Sequence, residues 1–386
     1  MNRTVCVVTG SRADYGLLAP VIRALRDDPD LNLRLVVSGM HLAPEFGQTW
    51  RRIEEDGFAI DWKVDMLVAS DTPVAVGKSV GLGVIGFAEA FAALAPGMVL
   101  LLGDRFETLA AAQAALFGCI PVAHIAGGDL TEGVYDEAMR HAITKMAHLH
   151  FVTNAEAGRR VRQLGEAPER VHVVGSPGLD ALRETALLDR DALAQAVHFP
   201  WREKNLLITF HPPTLHPGAA ADQCRELLTA LEGLGPGVGL LFTLPNADNE
   251  GRALMELLRA FATEHQNARV YASLGHRVYL SAMAQADAVV GNSSSGLYEA
   301  PSLGVPTVNI GDRQQGRLCA ASVIDCPPRA GAIRAAVLRA LGTDARETKN
   351  PYGDGHSAPR IVACLKAVED WPALVRKRFV DWTEPS

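Results

Sequence analysis

Residues Gly291-Asn292-Ser293-Ser294-Ser295-Gly296-Leu297-Tyr298-Glu299 carry the densest chemistry in the sequence. The apolar run Ala288–Val290 ends just before them, and a helix is predicted to open near Leu297. Backbone N–H groups at a helix start attract anions. Serine hydroxyls add donors, and Gly296 would let a phosphate approach the backbone closely. Glu299, expected on the first helical turn, can accept hydrogen bonds from a ribose diol. The pattern reads as a cradle for a nucleoside diphosphate, unlike the P-loop or the dinucleotide fingerprint. An ordinary serine-rich helix cap fits the same residues equally well.

A second group is acidic. Asp104 follows the apolar run Val99–Leu102 directly. Gly127 to His141 carries Asp129, Glu132, Asp136 and Glu137 on a glycine-rich loop running into a helix. Acid–base work at carbon needs carboxylates in unlike environments, so that their pKa values separate. The plain alternatives are Asp104 paired with Arg105 or capping the next helix, and helix support from the i,i+4 pairs Asp136–Arg140 and Glu137–His141. His211, at a strand end before Pro212-Pro213, suits a proton shuttle, a phosphate donor or a satisfied structural histidine. His211 and His216 lie five apart without an evident third ligand, a poor metal pattern. Arg12, after a glycine turn, suits a phosphate clamp or an exposed surface position.

These residues need strands to hold them. Near-continuous Val/Ile/Leu runs suit strands buried on both faces of parallel sheets. They fall at Thr4–Thr9, Leu33–Val37, Val99–Leu102, Pro121–His124, Phe151–Thr153 and Val171–Val174. A second series falls at Leu206–Phe210, Gly239–Thr243, Arg269–Ala272, Ala288–Val290 and Thr307–Ile310. The fold class is therefore α/β, with two Rossmann-like doubly wound domains facing a central cleft. The expected boundaries are 1–178, 179–362, and a C-terminal helical segment, 363–386, crossing back to the first domain. That helical pattern spans Pro359–Val380, broken before Pro372. In such sheets ligands sit beyond the carboxyl ends of the strands, where the reactive residues lie. Two motifs are set aside. Gly81-x-Gly83-x-x-Gly86 follows no convincing strand and suits close helix packing, and Gly77-Lys78-Ser79 lacks the first glycine of a P-loop.

Composition narrows the partners. The chain has 386 residues, 48% hydrophobic and 21% charged, with a net charge of −7 and no long basic run. Nucleic acid and anionic membranes are excluded as expected partners. The longest apolar run, Phe87–Leu102, holds Glu89 and Pro96-Gly97 and is not expected to span a membrane. The six cysteines are scattered, without metal-type spacing, and read as reduced, mostly buried thiols. With Thr4–Thr9 predicted as a strand from the start, no signal peptide is expected and a cytoplasmic protein is.

In this order, the motifs resemble those of the hydrolysing UDP-N-acetylglucosamine 2-epimerases of the sialic- and legionaminic-acid type. The likeness rests on residues 9–16, 39–47, 103–107, 127–141, 175–180, 210–212, 245–248, 291–296 and 309–314. Leu102-Gly103-Asp104-Arg105 favours the hydrolysing branch over the non-hydrolysing one. The resemblance implies a GT-B-like fold, elimination of UDP to a 2-acetamidoglucal, and hydration with inversion at C2, without metal or NAD. It implies catalytic roles for Asp104 and Asp136. It implies substrate or nucleotide contacts for His211, Ser294, Ser295, Gly296 and Glu299. Arg12, His41, Arg140, Asn246 and Arg313 are further expected binding residues. It also implies a homodimer or homotetramer. One departure stands out: a glutamate expected two residues after His124 is Ala126 here, leaving Asp129 or Glu132 to supply the carboxylate, or an altered chemistry. A GT-B glycosyltransferase and a non-catalytic nucleotide-sugar-binding protein are the competing readings.

Overall fold

The computed structural model describes residues 3–70, 72–132, 136–212, 218–244 and 251–381. Parallel strands alternate with helices throughout. The first series is β1 (Thr4–Thr9), β2 (Asn32–Ser38), β3 (Trp62–Val64), β4 (Met98–Leu102), β5 (Val122–Ile125), β6 (Leu149–Val152) and β7 (Val171–Val173). It forms a seven-stranded sheet in the order β3-β2-β1-β4-β5-β6-β7. The second series is β8 (Lys204–Thr209), β9 (Val238–Thr243), β10 (Ala268–Tyr271), β11 (Ala288–Gly291), β12 (Thr307–Ile310) and β13 (Val323–Cys326). It forms a six-stranded sheet in the order β10-β9-β8-β11-β12-β13. Every pairing is parallel. β1 and β8 are central and apolar because helices cover both faces of each sheet. The edge strands β3 and β13 were not among the expected ones.

The chain divides into two compact units. One comprises 1–130, 135–181 and 352–386, and the other 131–134 and 182–351. In the first, the sheet core of Val5, Val7, Leu35, Leu100 and Phe151 is closed by Ile361, Leu365, Trp371 and Leu374 from the last stretch of chain. That stretch is a helix only over Ser357–Ala367, followed by a short 3-10 turn at Pro372–Val375. Past Val375 the helical expectation fails, and the chain is held by side chains instead. Lys377 Nζ lies 2.7 Å from the buried Glu166 Oε2, which also accepts from His150 Nε2 at 3.0 Å, while Lys145 reaches Oε1 at 2.6 Å. Burial pushes the Glu166 carboxyl up, but these donors win and hold it down at about 2.

The GxGxxG-like run lies inside the helix Pro73–Leu94. A Cβ on Gly86 would come within 2.6 Å of Val64 Cγ1, and one on Gly83 within 2.7 Å of Met66 Cε. Close packing accounts for both glycines. This helix is, among the described residues, the one long and apolar enough to cross a membrane. Here its Phe87, Ala90 and Phe91 face is buried in a core shared with Ala110, Ala111 and Ala114 of the helix Phe106–Phe117. The six thiols are free, but only Cys6 and Cys224 are buried, while Cys119 and Cys319 are exposed. The expectation of mostly buried cysteines is corrected.

Candidate active site

Each sheet reverses strand order once, between β1 and β4 and between β8 and β11. Ligands in doubly wound sheets bind at such reversals. The candidate residues collect there in both units.

In the first unit, the loop after β1 is tied to itself. Asp14 accepts from the backbone N–H groups of Gly10, Ser11 and Tyr15 at 2.8–2.9 Å. The Ser11 and Asp14 N–H groups at the start of the helix Arg12–Asp27 are thus used internally, and Arg12 stands exposed on its first turn. His41 is fully buried, with Nε2 3.0 Å from Thr9 Oγ1 and Nδ1 2.8 Å from Thr49 Oγ1. Both its nitrogens serve the fold, so the structure does not present it to a ligand.

Beyond β4, Arg140 is the hub. It is buried, and its Nη2 donates to Asp104 Oδ2. Its Nη1 donates to Glu137 Oε2 and to the Asp129 carbonyl, both at 2.6 Å. The expected i,i+4 pair Asp136–Arg140 does not form, because Arg140 reaches across to β4 instead. Glu137 does meet His141, at 3.1 Å. Arg105 turns away from Asp104 to grip Glu107 at 3.1 and 3.2 Å. Glu107 is buried beneath Gly10 and Gly39, where a Cβ on Gly39 would come within 2.8 Å of its Oε1. Sequence reading missed this pair. Burial pushes the Glu107 carboxyl up, and Arg105 opposes that.

Asp136 opens the helix Asp136–Met146, half-buried, and its carboxylate makes no ion pair or hydrogen bond with the described residues. Burial, then the charge on Asp104, raises its pKa, and Arg105 and Arg140 pull the other way. Asp129 is spoken for differently: its Oδ1 accepts from Thr153 Oγ1 at 2.6 Å. Glu132 is exposed and clusters with the second unit, against Gly316. The two candidate substitutes for the carboxylate absent at Ala126 therefore sit in different settings. Ala126 itself adopts φ +64, in the left-handed region.

In the second unit, Gly291 has φ +139, and a Cβ there would lie 1.9 Å from the Thr209 carbonyl oxygen. Only glycine lets β11 end against β8. Asn292 then clamps His211 across the reversal, its Oδ1 accepting from His211 N at 2.7 Å and its Nδ2 donating to His211 O at 2.8 Å. Arg313 Nη1 and Gln314 Nε2 donate to the Asn292 carbonyl at 3.1 and 2.9 Å. His211 Nδ1 is buried without a partner among the described residues, and burial, helped by Arg313, lowers the ring pKa to about 4. The imidazole is neutral at pH 7.

The serine loop corrects two expectations. The helix is one turn, Ser295–Tyr298, and Glu299 is its C-cap, not a first-turn residue. A dipole argument has little helix to rest on. Gly296 is buried and makes room for Thr307, whose Cγ2 would lie 2.6 Å from an added Cβ, so its small size serves packing rather than a ligand. What remains for an anion is the backbone N–H of Ser293 and of Ser294, which donate to nothing among the described residues. Glu299 Oε2 is buried and has no partner among the described residues. Its burial raises the carboxyl to about 7. Asn246 lies outside the described residues. Among the described residues no cluster of His, Cys, Asp or Glu suits a metal.

Comparison with known proteins adds the decisive observation. The family model for UDP-N-acetylglucosamine 2-epimerase matches residues 23–366. The chain belongs to this family. It is 38% identical over 325 residues to the GDP/UDP-N,N'-diacetylbacillosamine 2-epimerase (hydrolyzing) of Campylobacter jejuni, covering 84% of each chain. It is 34% identical over 368 residues to the UDP-N,N'-diacetylbacillosamine 2-epimerase (hydrolyzing) of Legionella pneumophila, covering 95% of this chain and 97% of that one. The chain is accordingly a hydrolysing nucleotide-sugar 2-epimerase, and the transferase and binding-protein readings are not favoured. In fold it matches the UDP-GlcNAc 2-epimerase of Neisseria meningitidis bound to UDP-GlcNAc, with a TM-score of 0.75, 19% identity, and 94% and 99% of the two chains covered. A galactosyltransferase, WaaB, reaches a TM-score of 0.52 at 12% identity, a likeness of fold alone. The epimerase fold is GT-B-like, as the sequence implied.

Proposed function

We propose that this epimerase acts on a UDP-linked 2-acetamido sugar, with a 2,4-diacetamido sugar as the favoured form, and releases UDP and the free sugar inverted at C2. The observation that carries the acid–base assignment is the contrast between Asp104, ion-paired with Arg140, and Asp136, half-buried, unpaired and raised in pKa. A carboxylate held by an arginine beside an unpaired carboxyl raised in proton affinity suits a base and an acid for one carbon centre. In the first step the C2 proton passes to a carboxylate, the C2–H electrons form the C1=C2 bond, and the C1–O bond electrons leave with UDP. In the second, water adds its hydroxyl to C1 while a proton reaches C2 from the opposite face. Arg140 holds Asp104 in place. Asp129, oriented by Thr153, is the better candidate than Glu132 for the carboxylate absent at Ala126. His211, neutral, and the serine loop with Glu299 hold the nucleoside diphosphate.

The sugar preference is supported by the two bacillosamine-type relatives, and UDP by the nucleotide common to their names. A free sugar of this type would feed a sialic- or legionaminic-acid-type synthesis. Six free thiols accord with a reducing cytoplasm, and a homo-oligomer accords with the family resemblance.

Turnover in D₂O tests the reaction. Free sugar carrying deuterium at C2, with the opposite C2 configuration, is expected. Protium retained at C2 would mean hydrolysis at C1 and overturn the elimination. UDP- and GDP-linked N-acetylglucosamine and 2,4-diacetamido sugars, compared by kcat/KM, test the substrate.

A further inference from the structure

A chain of hydroxyl groups runs behind the serine loop. Thr243 Oγ1 is 2.6 Å from Thr209 Oγ1, which is 3.4 Å from the Tyr279 phenol oxygen. The phenol is 2.7 Å from Ser295 Oγ. Ser295 Oγ donates to Ser293 Oγ at 3.0 Å, and Ser295 N approaches the same oxygen at 3.4 Å. Each hydroxyl owns one proton, so one assignment fixes the rest. Ser295 spends its proton on Ser293, so the phenol must donate to Ser295. The phenol then accepts from Thr209, and Thr209 from Thr243. All donors point the same way, toward Ser293. With both acceptor positions of Ser293 filled, its own O–H can only donate: to the Tyr279 phenol oxygen, which it also neighbours, or to a bound anion beside the unaccepted N–H groups of Ser293 and Ser294.

We propose that Tyr279 is a positioning residue: its phenol O–H sets the direction of this relay and so commits the Ser293 hydroxyl to donate to the diphosphate of the bound nucleotide. This rests on the reading of the serine loop as the diphosphate site. A phenol is a stronger donor than an alcohol, and successive hydrogen bonds polarise one another, so the terminal O–H gains acidity where the departing diphosphate gathers charge. Burial raises the Tyr279 pKa, so the proton stays on the phenol at neutral pH.

Tyr279→Phe keeps the ring and removes one O–H. Titrated by calorimetry, it should bind UDP about three- to tenfold more weakly, the range for one lost neutral hydrogen bond. Its affinity for uridine, which has no phosphate, should equal that of the parent. Ser293→Ala should lower UDP affinity too, and adding Tyr279→Phe to it should cost nothing further. Unchanged UDP affinity in Tyr279→Phe, equal weakening toward uridine and UDP, or additive losses in the double variant would each overturn the relay. A melting curve matched to the parent keeps the comparison to folded protein. Parent enzyme that fails to bind UDP would instead refute the diphosphate site, a result separate from any behaviour of Tyr279.

Discussion

The strand ends of the two sheets solve opposite electrostatic problems. In the first unit, most charges arrive with counter-charges: Arg140 serves Asp104 and Glu137, and Arg105 serves Glu107. In the second, more polar atoms are buried without a partner among the described residues: His211 Nδ1, Glu299 Oε2 and Gln314 Oε1, against His141 Nδ1 in the first cluster. A buried group without a partner costs about 1–3 kcal/mol, and a protein keeps it only where something else satisfies it. On the proposed function, the first region is finished before substrate arrives, as proton transfer at a fixed carbon requires, and the second is completed by its ligand. Asp136, whose carboxylate has no partner among the described residues, is the exception, and the proposed proton transfer is placed there.

The sharpest way to break this contrast is to neutralise the acids. Asp104→Asn and Asp136→Asn should each lower kcat by about 10²–10⁴, the usual contribution of general acid–base help, while calorimetric UDP affinity stays at the parental value. Near-normal turnover in a folded variant would make that residue structural. Arg140→Met strands Asp104 and Glu137 without their cation. Breaking a buried pair from one side costs about 3–5 kcal/mol, to be read as a loss of unfolding free energy in urea. A loss below about 1 kcal/mol would show that the first cluster does not depend on its internal compensation.

The second region should answer in affinity. Glu299→Ala removes the acceptor for a ribose diol and should weaken UDP binding about tenfold or more. The carboxyl, raised by burial to about 7, must ionise before it accepts two hydroxyl donors well. Parental UDP affinity should therefore climb as pH rises through about 7, and Glu299→Gln should flatten that slope. Stability carries the opposite sign: because the folded pKa lies above the ordinary 4.5, the folded state loses stability as pH rises between those values. The smallest effect belongs to Ala126. Alanine at φ +64 is strained, so Ala126→Gly should raise stability by up to about 1 kcal/mol and leave UDP affinity alone. Destabilisation would mean that the methyl group earns its place by packing.

The central strands were legible because burial on both faces writes an unbroken apolar run, as in Met98–Leu102. Trp62–Val64 and Val323–Cys326 were not, because short edge strands carry Lys63 and Asp325 among their few residues. The reactive positions followed from their places after strands. Their partners did not: Arg140 lies 36 residues from Asp104, and nothing in the spacing distinguishes that contact from the i,i+4 pair with Asp136. Tyr279 was hidden likewise, since it reads as a core-facing helical residue until its oxygen is seen beside Ser295. Gly296 misled because a missing Cβ serves a ligand or a neighbour equally, and only coordinates reveal Thr307.

The return of residues 352–386 to the first unit sets the order in which the molecule can be finished. Domains ordinarily fold from the N-terminus as the chain leaves the ribosome. Here 182–351 is continuous apart from its contacts with 131–134, whereas the first sheet waits for Ile361, Leu365 and Trp371 to close its core. The unit that carries the serine loop can mature first, and the unit that carries the acids closes its core only once Ile361, Leu365 and Trp371 are available. A nascent chain thus completes its serine loop before its acid cluster.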